Sequence, residues 1–158
     1  MFHILIQRAS RKIAVPTAAE LRCWAKAALQ DNISTAEMTI RIVDEKEITM
    51  LNATYRHKDK PTNVLSFPFE TPPDVALDTP LIGDIVICAA VVEKEAHEQH
   101  KTLTAHWAHM VVHGTLHLLG FDHEIESDAT MMETKEIAIL ASLGFANPYH
   151  THNGIPHD

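Results

Sequence analysis

The stretch IGDIVICAAVVEKEAHEQHKTLTAHWAHMVVHGTLHLL, residues 82–119, holds the point at which strand-like sequence gives way for good to helix-like sequence. Ile82, Ile85, Val86 and Ile87 make a short β-branched run, the composition of a buried strand. After Ala89 the text reads as helix: one segment runs to about Gln99, and Thr102 opens another that reaches Leu119 and stops at Gly120. Leu103, Trp107, Met110, Val111 and Leu118 form the core-facing side of that second helix. A third helix is expected from about Ser127 to Ser142, ended by Gly144. Upstream, strands dominate. Phe2, Ile4 and Ile6 alternate as a first strand, and Pro16-Thr17 opens a helix through Leu21, Trp24, Ala25 and Leu29. Glu37 to Val43 is a second strand, after which Asp44, with Glu47 three residues on, is placed to cap a helix carrying Ile48, Leu51 and Tyr55. Asn63 to Phe69 alternates as a third strand, with Pro68 marking an edge or an end. Strands first and helices last predict an α+β fold: a small mixed sheet with about five helices against it, in place of a regular βα alternation.

A chain of 158 residues can bury roughly two-thirds of its unfolded surface, so one domain over residues 1–146 is expected. The stretch 147–158, with Pro, Gly and three His but no periodicity, is expected to fray. Hydrophobic residues at 46% and charged residues at 22% exclude wholesale disorder. No apolar run approaches a membrane span, and Met1 to Arg8 lacks the charged start of a secretory signal. Cys23 and Cys88, with no CxxC, suit a reducing compartment, and the expected location is cytoplasmic. Thirteen basic against 21 acidic residues leave a net charge of −8, which excludes indiscriminate nucleic-acid binding and requires any such contact to be local.

The unusual component is histidine: 12 in all, with His97, His100, His106, His109, His113, His117 and His123 inside one short span. At about 100° per residue, His113 and His117 fall one helical turn apart on one side. Gly120 stops the helix and the following turn brings back His123, a third nitrogen from another direction. Three imidazoles suit Zn²⁺ with a fourth position left open, which is the arrangement of a catalytic ion. Such an ion lowers the pKa of its water from 15.7 towards about 7, so a nucleophile exists at neutral pH without a separate base. The spacing also matches the HExxHxxGxxH metalloproteases, but Gly114 stands where they carry the general-base Glu. A peptidase is therefore disfavoured. His106 and His109 continue the stripe and either orient the ligands or simply pack. His97 and His100, among Glu93, Glu95 and Glu98, read as a solvated face.

Tyr55 to Asn63 places Arg56, Lys58 and Lys60 in one turn between a helix and a strand, where binding residues are commonly carried. Alone, it reads equally as a solvated loop. Together with the histidines it carries a resemblance. His106 to His123 fills every fixed position of HGxLHLxGxDH, and the chain resembles the YbeY family of bacterial rRNA-maturation endoribonucleases. Tyr55-Arg56-x-Lys58-Asp59-x-Pro61-Thr62 followed by Val64-Leu65-Ser66-Phe67-Pro68 is similar to a second family block, and Gly83-Asp84-Ile85 to a third, in consistent order over roughly positions 36 to 149.

The resemblance implies a zinc-dependent endoribonuclease selective for single strands, acting in small-subunit rRNA maturation and late ribosome quality control. It implies a four-stranded mixed sheet, one zinc ion on His113, His117 and His123, and a substrate role for Arg56. Arg56 and His113 are then the expected catalytic residues, with Arg56 and Lys58 on the substrate. Expected partners are single-stranded and ribosomal RNA and the small ribosomal subunit or its associated proteins, with neither a membrane nor DNA. The rival reading is a non-enzymatic, metal-stabilised ribosome-assembly factor.

Overall fold

The computed structural model describes residues 1–70, 72, 79–121 and 126–149, the last segment without the side chains of 126 and 127. The chain runs β1 (Phe2–Ala9), α1 (Ala18–Leu29), β2 (Ala36–Val43), α2 (Glu45–Arg56), β3 (Val64–Pro68), β4 (Leu81–Cys88), α3 (Ala89–Glu98), α4 (Leu103–Leu118) and α5 (Glu126–Ser142). The four strands form one mixed sheet in the order β1-β2-β4-β3, with β1, β2 and β4 parallel and β3 antiparallel to β4. This is the expected α+β architecture. Pro68 ends an edge strand, where its missing N–H costs no ladder bond.

Alternation divides the sheet between two cores. Met38, Ile40 and Ile42 of β2 face the larger one, shared with α1, α4 and α5, while Val43, Val86 and Cys88 meet Ile48 of α2 on the other side. In β4 the inward residues are Ile82, Ile85 and Ile87, which breaks strict alternation. The break falls at Gly83, where the β2–β4 register shifts. Gly83 has φ +138°, and a Cβ there would stand 2.2 Å from the Phe67 carbonyl oxygen. Only glycine allows the extra residue that resets the phase and puts all three isoleucines in one core.

Two helix starts follow their sequence signals. Thr17 accepts from the Glu20 amide at 3.1 Å while Glu20 accepts from the Thr17 amide at 3.0 Å, a reciprocal cap. Thr102 accepts from the Ala105 amide at 3.1 Å at the head of α4. The cap expected from Asp44 is not made. Asp44 instead accepts from the Ser10 hydroxyl at 2.5 Å and the Arg11 amide at 3.1 Å, and those bonds hold its carboxyl below the usual range. Glu47 is taken by Arg41, which donates twice to it, at 2.7 and 2.9 Å. Two longer-range partners thus displace the local capping box.

Helix α4 lies at the centre, touching β3, β4, α1, α3 and α5. No helix among the described residues is long and apolar enough to cross a membrane. The described chain continues past residue 146: Pro148 is buried, and its carbonyl accepts from Lys101 Nζ at 2.6 Å.

Candidate active site

From Val111 to Leu118 every residue of α4 is buried except His113 and His117, which are half-buried. The two rings are 4.7 Å apart between centroids, on one side of the helix as the four-residue spacing requires. Gly120, at φ +98°, ends α4: its amide donates to the His117 carbonyl at 3.0 Å and the Phe121 amide donates to the Leu116 carbonyl at 3.1 Å. This paired closure is the Schellman turn that glycine favours, and it redirects the chain directly after the second histidine. His123, the third expected ligand, lies outside the described residues.

Gly114 has a packing role. A Cβ there would meet Ile85 Cγ2 at 3.1 Å and Val64 Cγ2 at 3.2 Å, and the Ser66 hydroxyl donates to the Gly114 carbonyl at 3.0 Å. The helix is pressed onto β3 and β4 at this point, so any side chain in place of Gly114, a glutamate of the peptidase kind included, would have to push Ile85 and Val64 aside. Gly114→Ala should test the fit. Alanine gains up to about 1 kcal/mol in helix propensity, but an overpacked methyl costs about 1–3 kcal/mol. A net loss of about 1 kcal/mol is expected from the urea midpoint, and a gain would show the contact to be loose.

The basic turn is held by Asn52, which is buried. Its backbone carbonyl accepts from the Lys58 amide at 3.2 Å and its side-chain amide donates to the Lys60 carbonyl at 2.9 Å. His57 takes the left-handed conformation, φ 60° and ψ 33°, that closes α2. Arg56, Lys58 and Lys60 of this turn then line the same cavity as His113 and His117, about 470 Å³ in volume. Two segments more than fifty residues apart thus put cations opposite imidazoles, an arrangement that can bind a phosphate beside an ion.

Behind the histidines lies a polar cluster in which His109 is joined by Glu136 and Tyr149, two residues that no sequence motif singles out. Glu136 of α5 is fully buried, and its Oε1 is 2.5 Å from His113 Nδ1 and 3.5 Å from His109 Nε2. The Tyr149 hydroxyl donates to the other carboxylate oxygen. Burial pushes the Glu136 carboxyl up, but the bonds and charge of His109 and His113 outweigh it and hold it at about 2. Burial also pushes the His109 pKa down, and burial beside Glu136 pushes Tyr149 up. His109, His113 and Glu136 bring ligand atoms within 4.8 Å of one another, a group that could hold a metal ion. His106 bonds Glu95 at 2.9 Å, and Asn63 donates to the same carboxylate at 3.1 Å. Glu95 is therefore half-buried and engaged, whereas His97 and His100 are exposed.

A signal for Glu136 was available: it occupies the apolar stripe of Met132, Ile139 and Leu140, four before and three and four after it, all buried. A carboxylate on such a stripe must have partners.

Comparison with known proteins settles the kinship. The family model of the endoribonuclease YbeY matches residues 5–144. The chain belongs to the YbeY endoribonuclease family. A solution structure of TM1509 from Thermotoga maritima is also similar, at 28% identity and a TM-score of 0.61, covering 88% of this chain and 89% of that one. Membership in the YbeY family makes the cavity the place to seek RNA-processing chemistry, since it joins the blocks around Arg56 and His113.

Proposed function

We propose that the chain is a zinc-dependent endoribonuclease that hydrolyses single-stranded RNA in small-subunit rRNA maturation and late ribosome quality control. The observation that carries this reading is the cavity in which Arg56 and Lys58 face His113 and His117. His113, His117 and His123 would hold one zinc ion, and the described part of that set fits. Two half-buried imidazoles share a helix face, and a carboxylate engages Nδ1 of one of them. When bound, the ion supplies Lewis acidity and an acidified water.

The remaining work falls to the chain. The Arg56 guanidinium holds two phosphoryl oxygens with its planar fork and opposes the charge that builds on them, and Lys58 adds a flexible point charge. Ser66 is committed to the Gly114 carbonyl, so it is not placed as a nucleophile. Water adds across the scissile P–O bond, leaving a phosphomonoester on one product and a hydroxyl on the other. The proposed partners are ribosomal RNA and the small subunit or its associated proteins, in the cytoplasm.

The test is metal analysis of the purified chain alongside cleavage of single-stranded and duplex RNA, before and after chelation. Loss of cleavage with a retained fold supports the enzyme, and cooperative unfolding on metal removal supports the assembly factor with a structural ion. Single strands should be cut in strong preference. The net charge is −8, and the basic turn at the cavity carries too few cations to track both strands of a duplex. Equal cleavage of a perfect duplex at moderate salt would refute the preference.

A further inference from the structure

We propose that Glu136 is a positioning residue of the metal centre: from α5 its carboxylate grips the Nδ1 edge of His113 and so presents Nε2 to the ion, while Tyr149 and His109 steady the carboxylate. The proposal rests on the metal assignment just made and adds residues from α5 and the C-terminal segment to it.

Distance favours this role over that of a direct ligand. Two donors bound to one tetrahedral zinc at about 2.0–2.1 Å stand about 3.3 Å apart. His113 Nδ1 and Glu136 Oε1 are 2.5 Å apart, a hydrogen-bond separation with one proton between them. With Nδ1 engaged as a donor, the tautomer is set, and Nε2 is the nitrogen through which His113 would bind an ion. A carboxylate on the far edge of the ring also makes the imidazole a stronger ligand.

Burial supports the same role. Glu136 is fully enclosed between Met132 and Leu140, and a buried ionic group adds little to stability compared with apolar residues of similar volume. Its partners converge on the metal side of α4 from different parts of the chain. The Tyr149 hydroxyl donates to the carboxylate, and its ring lies edge-on to His109 at 5.3 Å between centroids. Tyr149 is itself placed by the bond from its amide to Asn147 at 2.9 Å and by Lys101 on the Pro148 carbonyl. The orientation of a ligand on α4 thus depends on a segment thirty-six residues downstream of His113.

Competition titration with a chromophoric zinc chelator tests the proposal on the full chain. Glu136→Ala should weaken zinc binding by about 10–100-fold. Glu136→Gln should recover part of this, because its amide oxygen still accepts the Nδ1–H without the charge. Tyr149→Phe should lose a few-fold, and the absorption bands of the cobalt-loaded Glu136→Gln protein should shift while the metal count stays at one. Circular dichroism checks folding, and if Glu136→Ala does not fold, Glu136→Gln decides. Zinc affinity within twofold of the parent in the folded Glu136 variants overturns the proposal and leaves the endoribonuclease reading intact. Zinc binding that survives His117→Ala but is lost in His109→Gln makes Glu136 a ligand and also overturns it. A parent chain that binds no zinc overturns both.

Discussion

His117→Ala is expected to bind no zinc and to cleave no RNA, while its metal-free form melts close to the metal-free parent. A catalytic zinc of this type has three protein ligands, and two imidazoles do not hold it against water and buffer. The side chain sits half-exposed on the cavity side of α4, away from Trp107, Val111 and Leu116, which fill the core. Its removal leaves the buried stripe whole. Metal content by elemental analysis, cleavage of a single-stranded substrate and a melting curve give the three readings. Equal metal content in variant and parent would remove His117 from the centre. The control is the tail: His150, His152 and His157 should be replaceable without loss of metal, since no helical spacing in the sequence ties them to His113 and His117.

Whatever local periodicity governs was legible in the sequence. The switch from strands to helices near Ala89, the Thr17 and Thr102 starts, and the common side of His113 and His117 each depend on residues within a few positions of one another. Where distant segments decide, sequence patterns misled or were silent. Asp44 has the residue type and spacing of a cap, but Ser10 and Arg11 approach it from more than thirty positions away and take its carboxylate. Gly83 reads as an ordinary strand glycine until Phe67 on the neighbouring strand shows that a side chain there is impossible. Glu95 reads as part of a solvated run until α4 brings His106 over it. The candidate site divides in the same way. Its histidine pair is a property of one helix, whereas its cations and Glu136 join it only when the turn between α2 and β3 and the distant helix α5 are brought up to α4.

Arg56→Ala is expected to keep its zinc and its thermal midpoint while losing at least about 100-fold in cleavage rate. Arg56 is exposed at the end of α2, where a substitution away from any buried contact changes stability by about 0.5 kcal/mol or less. The turn that carries it is fixed by Asn52 and the left-handed His57, not by the guanidinium, so the loop should keep its shape in the variant. What is lost is charge aimed at the phosphoryl oxygens as they become more negative, and one such donor is commonly worth about 10²–10³ in rate. Arg56→Lys should recover only part of this: an ammonium restores the charge but not the two parallel donors that span two oxygens. Lys58→Ala should have a smaller effect that fades as salt is raised, as expected of an exposed point charge. Zinc titration, melting and single-turnover cleavage across these variants separate the roles. Full activity in Arg56→Ala would reduce the basic turn to a solvated loop, and loss of zinc would place Arg56 in the support of the histidines instead.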